Sequence, residues 1–384
     1  MVCIICEPKY TDNIWEKQKF DGLLAKLKKR RIKYEVIEQL NEVKNISDSD
    51  EPIIVIAIGA HKAWYSYIVK QCNVMNVRVI TFGENFSDSV SGNFSCVTSD
   101  LKSSVIDICR YFTAYGKKKA LLYNVNNNSE FDLALKNEIL NFLPENGMKV
   151  DLIEKSGSND DAVNEFMNRL DCFDSVICTN DYSAILLLQR IKETNPEYLK
   201  QIFLVSFSNT LLSLTYSPSV TTFYETDIGD EYVIKIYYLL MQNPEISNIH
   251  FSIKEHIKIR ETTQYHPYML LESGNIQKNV ESAAFSFDDD KRTLKEPAID
   301  ELERIEKMLK TLDRIDYNIL SLLLDGKSTL EISGILYTSR GSVRYRIGRM
   351  IEKLGFESRG EMINLLNKYV SSESLCRLAE NSPD

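Results

Sequence analysis

The sequence lacks any apolar run approaching the roughly 18 residues a membrane helix needs. Its N-terminus has no basic segment ahead of a long apolar core, so no signal peptide is expected. Both absences point to a cytoplasmic protein with no membrane partner. Histidine is scarce: His61, His250, His256 and His266 are dispersed along the chain. The motifs GxGxxG, GxxxxGK[ST], HExxH and GxSxG are missing, and Asp88, Asp100 and Asp107 form no convincing phosphoacceptor cluster. No enzyme activity, cofactor or metal is therefore expected. The eight cysteines are scattered, and the only close pair, Cys3-Ile-Ile-Cys6, lies in a strand-like run. Residues three apart on a strand face opposite sides of the sheet, which makes a poor chelator, so reduced buried thiols are expected. Positive charge is also in deficit. Lys and Arg number 46 against 55 Asp and Glu, a formal net charge of −9, which argues against a protein that coats nucleic acid generally.

What is present suffices for two or three domains: 384 residues, 43% hydrophobic and 26% charged. Val2–Cys6 reads as a strand, 13–31 as a helix and 33–37 as a second strand. The uninterrupted apolar run 52–58, ending at Gly59, is typical of a buried parallel strand. A helix at 61–72 and a strand at 77–82 complete a βαβαβ pattern. The alternation resumes from Ser99. Strands are expected at 119–123, 149–153, 175–179, 202–207 and 220–223, with helices at 131–143, 160–170, 182–192 and 228–241, and an antiparallel or edge strand at 250–259. This predicts an α/β fold of two lobes with parallel sheets over 1–268, whose strand ends face a common cleft. Residues 269–298 read as a linker. In the charged helix that follows, Leu302, Ile305, Leu309 and Leu312 form a stripe that fits a dimer seam or packing on its own domain. So few heptads favour the second.

Residues 299–370 read as a small all-α domain with a leading helix, and 371–384 as a tail. Helices are expected at 313–324, 328–336, 340–354 and 358–369. Gly326 and Gly355 are placed as C-terminal stops, and Ser328 with Glu331 as a capping box. Between 340 and 353 stand Arg340, Arg344, Arg346, Arg349 and Lys353 against the single acid Glu352. A basic helix on an acidic chain fits the major groove of DNA, where arginines bond guanine edges or clamp phosphates. Val343, Ile347, Met350, Ile351 and Leu354 form the stripe that holds this helix to its neighbours, leaving Arg344, Tyr345 and Arg349 on other faces.

The segments 325–333, 342–344 and 352–361 resemble the LuxR/NarL-type helix-turn-helix. The resemblance implies that Arg344 and Tyr345 enter the groove and that Lys327 and Ser328 lie near phosphates, with Arg340, Ser342 and Arg349 completing the candidate DNA-binding set. Gly348 departs from the family, which often has a second basic residue there.

The segments Thr179–Ala184, Leu204–Asn209, Pro218–Phe223 and His256–Thr263 are similar to the effector-binding core of LacI/GalR-type repressors, a periplasmic-binding-protein fold. This implies chain crossings between lobes near 113–118, 222–226 and 247–252. It also implies an effector site built from Tyr10, Trp15, His61, Trp64, Asn180, Asp181, Ser208 and Glu225. Aromatic rings beside amides and carboxylates suit a small polar effector, a sugar or a related molecule. The family usually has aspartate at the position of Ser208 and often glutamine at that of Glu225. Trp15 and Trp64 also fit core positions, Asp181 a helix cap and His61 a helix start. The region resembling this core begins at residue 2, so the reader that usually precedes it is expected at the C-terminal end instead. The sequence thus predicts a ligand-responsive, DNA-binding transcription regulator, a homodimer on double-stranded DNA. The alternative is a non-catalytic ligand-binding or interaction module whose basic helix meets a protein partner.

Overall fold

The structure is a computed structural model that describes residues 1–8, 14–43, 52–59, 61–83, 90–127, 129–155, 159–224, 229–264 and 297–381. Two six-stranded sheets organise its α/β part. In the first, β1 (Val2–Cys6), β2 (Tyr34–Ile37), β3 (Ile54–Gly59), β4 (Arg78–Gly83), β5 (Ser95–Ser99) and β11 (His250–Ile253) lie in the order β11-β5-β4-β3-β1-β2. All five pairings are parallel. Alternate residues serve two cores, as a sheet covered on both faces requires. Val2, Ile4, Ile56 and Ile80 pack against Leu23 and Leu27 of α1 (Ile14–Lys29) and Val233 and Ile236 of α8 (Gly229–Gln242). Cys3, Ile5, Val55 and Val79 pack against Tyr65, Ile68 and Cys72 of α2 (Lys62–Val74). Cys3 and Cys6 therefore belong to opposite faces, and burial pushes their thiols up to about 11 and about 12.

The second sheet holds β6 (Lys119–Val125), β7 (Lys149–Glu154), β8 (Ser175–Cys178), β9 (Leu204–Phe207), β10 (Thr221–Tyr224) and β12 (His256–Lys258), in the order β12-β10-β9-β8-β6-β7. The helices along this part of the chain are α3 (Leu101–Ala114), leading in from the first sheet, α4 (Glu130–Glu145), α5 (Asn159–Met167), α6 (Asp181–Thr194), the short α7 (Leu211–Thr215) and α9 (Glu261–Gln264). The chain forms two compact units, one of residues 1–107, 127–139 and 225–256, the other of 108–126, 140–224 and 257–384.

Four expectations change. β5 was not expected; its short run of small residues, Ser and Thr around Cys96 and Val97, is a weak signal until β4 and β11 flank it. The stretch 250–259 is two strands, one at the edge of each sheet, and β11 runs parallel to β5. The third crossing accordingly falls after Ile253, later than 247–252. Residues 372–381 are a helix rather than a tail, as described below. Residues 269–296 of the expected linker, and Glu225, lie outside the described residues.

The C-terminal helices are α10 (Pro297–Leu309), α11 (Arg314–Leu324), α12 (Thr329–Ile335), α13 (Arg340–Leu354), α14 (Arg359–Tyr369) and α15 (Ser372–Asn381). α10 begins two residues before the expected boundary. Its Leu302, Ile305, Met308 and Leu309 are buried within its own unit, so the stripe is packed there. α15 packs along α11, burying Leu375 and Ala379.

Candidate nucleic-acid interface and strand-end loops

The caps expected from sequence are formed. The Ser328 hydroxyl accepts from the Glu331 amide (3.3 Å), while the Glu331 carboxylate accepts from the Ser328 amide (2.8 Å). Those hydrogen bonds hold the Glu331 carboxyl below its ordinary value. Ser339 caps α13 by accepting from the Ser342 amide (3.0 Å), and Gly355 ends that helix at φ +69°. A left-handed stop of this kind costs glycine nothing. Val343, Ile347, Met350 and Leu354 are buried, with Ile351 half-buried.

The five cations of this stretch then divide. Arg346 is drawn inward, donating to Asp313 (2.7 Å) and Asp316 (2.6 Å) at the start of α11. Lys353 donates to the Thr311 hydroxyl (2.6 Å). Arg340, Arg344 and Arg349 remain exposed, and Tyr345 is 68% exposed. Residues 341, 344, 345 and 348 share one face of α13, since three- and four-residue steps keep a helical side. At its two ends stand Gly341 and Gly348, and a Cβ at Gly348 would meet nothing within 4 Å. Lys327 and Ser342 are half-buried and Ser328 is exposed. Arg359 of α14 donates to the Lys327 carbonyl (2.8 Å), tying the start of α12 to the bundle. Arg344, Tyr345 and Arg349 thus project from the helix as exposed cationic and hydrogen-bonding groups, backed by apolar anchors on the other side, as reading a major groove requires.

At the strand ends of the first unit, Glu7 follows β1 and was not singled out from sequence. Its carboxylate accepts from the His61 amide (3.2 Å) and lies 2.8 Å from His61 Nδ1. His61 sits at the N-cap position of α2 with its ring exposed and makes no side-chain cap bond. Trp64 is half-buried, edge-on to Tyr65, and its ring lies so close over Gly59 that a Cβ there would stand 2.6 Å from it. Tyr65 is buried, donating to the Gly59 and Phe82 carbonyls and accepting from the Gly59 amide. The structure thus joins His61, Trp64 and Glu7. Tyr10 lies outside the described residues, as does the side chain of Trp15 in α1.

In the second unit Asn180, not Asp181, caps α6, accepting from the Ser183 amide (2.9 Å). Asp181 is fully buried. Its carboxylate takes the Ser206 hydroxyl, the Thr222 hydroxyl (2.9 Å) and the Thr210 amide (2.6 Å). Burial pushes its carboxyl above the ordinary value, against those hydrogen bonds. Ser208 is exposed at φ +106° and Asn209 follows at φ +51°. Two successive left-handed non-glycine residues are costly, and the turn is held by Ser208 donating to the Phe223 carbonyl and Arg260 to the Asn209 side chain. Asn124, at φ +58° in β6, is buried and donates to Ser183. Glu7, Asn124, Asn209 and Arg260 were missed from sequence. The one usable signal was Glu7-Pro8 directly after a strand.

Among the described residues no group of three or more His, Cys, Asp or Glu side chains could hold a metal ion. None of their helices is long and apolar enough to cross a membrane.

Comparison with known proteins bears on both parts. Residues 312–366 match the family "Bacterial regulatory proteins, luxR family". No curated protein sequence matches the chain. Among solved structures, the transcriptional regulator CelR–cellobiose complex aligns with TM-score 0.52 at 12% identity, over 68% of this chain and 84% of that one. A dimeric Lac repressor with an 11-residue C-terminal deletion aligns with TM-score 0.53 at 13% identity, over 68% and 98%. A LacI family transcriptional regulator from Bifidobacterium animalis subsp. lactis aligns with TM-score 0.52 at 12% identity, over 68% and 97%. At such identities the likeness is one of fold, and no catalytic family is indicated. The chain is a DNA-binding transcription regulator in which a LuxR-type helix-turn-helix follows an α/β region with the fold of LacI-type regulators.

Proposed function

We propose that the chain is a one-component regulator. A small polar effector binds at the strand-end loops, and a homodimer in the cytoplasm reads paired half-sites on double-stranded DNA through α12 and α13. The observation that carries this reading is the exposure of Arg344, Tyr345 and Arg349 on a capped, anchored helix within the LuxR-type match. Arg344 and Tyr345 face base edges, Arg349 and Arg340 the flanking phosphates, and Ser328, Lys327 and Ser342 the backbone near the start of each helix. Effector occupancy shifts the population between reader positions. For the effector, each unit taken by itself offers groups that suit a hydroxyl- or amide-bearing molecule: His61 paired with Glu7 and the Trp64 ring in the first, Asn180 and the strained Ser208–Asn209 turn in the second. Asp181 serves that site from behind, by holding the turn rather than touching the effector.

Two measurements test this. Wild-type protein binds duplex DNA with an affinity that falls steeply with salt, and absence of any affinity at low salt rejects the reading. Thermal-shift screening against sugars, amino acids and nucleosides gives a stabilising hit that weakens in His61→Ala or in Ser208→Ala. A hit indifferent to both removes the effector site from these loops.

A further inference from the structure

The reader is held to the second unit through α7, only five residues long. Glu306 of α10 is fully buried, and its carboxylate accepts from the Leu211 and Leu212 amides (3.0 Å each) at the start of α7. Lys310, one turn on, lies 3.4 Å from the same carboxylate. At the other end of α7 the Thr215 carbonyl accepts from the Ser371 amide (3.1 Å), just ahead of α15. Helices from both ends of the reader thus grip both ends of one short element. From the opposite side the Thr210 amide, adjacent to those bound by Glu306, donates to Asp181 (2.6 Å). Arg260 donates to Ser213 within α7 (2.8 Å) and to Asn209 in the strained turn before it. The turn, α7 and the leading helix of the reader are joined by a continuous run of buried and half-buried hydrogen bonds.

We infer that α7 is the element that ties the position of the DNA reader to the conformation of the Ser208–Asn209 turn, and that Glu306 is the positioning residue on the reader's side. A buried carboxylate clamped on two backbone amides tolerates little displacement, because an amide left behind without a partner is costly. Relaxing the turn, with its two left-handed residues, moves Thr210 and with it the amides that Glu306 holds. The coupling is a rigid contact shared by two sites, so it is reciprocal: disturbance at Glu306 reaches the turn, and disturbance at Asp181 reaches α10.

This deepens the regulatory reading above and rests on it for the identity of the turn as an effector loop. Its test needs no effector, so it fails or succeeds separately from the thermal-shift screen. Hydrogen–deuterium exchange of the full-length chain is compared for wild type, Asp181→Asn, Glu306→Gln and the double variant. Ser206→Ala, which removes only one bond to Asp181, takes the place of Asp181→Asn if that variant does not fold. The expected result is exchange about tenfold faster in α10 when Asp181 is changed, and in 208–213 when Glu306 is changed. Dissociation constants are measured in parallel for a duplex selected from random DNA by the wild-type chain. Each single variant weakens binding about threefold or more, and the double variant is no weaker than the weaker single. Exchange changes confined to the mutated element, or single-variant fold-changes that multiply in the double, overturn the inference.

Discussion

On α13, Arg344 and Arg349 stand exposed while Arg346 between them is tied to Asp313 and Asp316. At the strand ends of the second unit the pattern is reversed: the charged group, Asp181, is fully buried, and the exposed residue is the uncharged Ser208. In the proposed function the first region meets DNA with side chains that project from a rigid helix. In the proposed function the second region meets its effector with a backbone turn whose shape is set by the carboxylate behind it. A large polyanion is recognised by many charges left in water, whose desolvation costs little. A small polar effector requires pre-set hydrogen-bonding geometry, which buried groups supply.

The comparison can be broken most directly at the reader. Arg344→Ala with Arg349→Ala is expected to cost about 2–6 kcal/mol of DNA binding if both reach bases or phosphates, and to flatten the plot of log affinity against log salt by about two charges. Folding stability should be unchanged, since both side chains are exposed. Asp181→Ala should act first on stability. It leaves three buried donors without their acceptor, and about 3 kcal/mol of stability is expected to be lost in urea unfolding. Arg346→Met sharpens the contrast within one helix. Asp316 is left buried without its partner, so about 1–2 kcal/mol of stability is expected to go, with DNA affinity falling far less than for Arg344.

Acidity separates the regions in another way. Burial raises the Glu306 carboxyl above its ordinary value of 4.5, so between the ordinary and the raised value the folded chain holds a proton that the unfolded chain has lost. Stability then falls as pH rises through that window, and Glu306→Gln should flatten that limb of a urea-midpoint profile. Asp181, raised for the same reason, adds a slope of the same sign. Asp313, lowered by Arg346 despite some desolvation, acts with opposite sign: its contribution is lost as pH falls below the ordinary carboxylate range. The smallest effect is at Gly348. Open space surrounds its missing Cβ, so Gly348→Ala should raise stability by about 0.5–1 kcal/mol. A simultaneous loss of DNA affinity would show that the helix backbone itself approaches the DNA there.

The reader was legible in the sequence because its signals are local. Caps at Ser328, the stop glycines Gly326 and Gly355, and the stripe from Val343 to Leu354 all lie within one or two turns of what they specify. α15 carried a signal of the same kind, Ser371 capping ahead of Leu375 and Ala379, and was overlooked rather than hidden. The parallel strands were legible as apolar runs, except β5, whose Ser and Thr residues gain their burial from flanking strands. The strand-end residues were legible only as positions. That Asn180 caps α6 while Asp181 turns inward depends on Ser206, Thr210 and Thr222, which lie 25 to 41 residues away in sequence.

The sequence by itself determined the two α/β sheets, the helix-turn-helix and the sign of its charge, because periodicity, capping and net charge are properties of neighbouring residues. Only the tertiary structure decided which of the cations face outward, that Asp181 supports a turn, and that Glu306 fastens the reader to α7. Those depend on hydrogen bonds between groups far apart in the chain, and no local pattern encodes a partner that folding alone brings near.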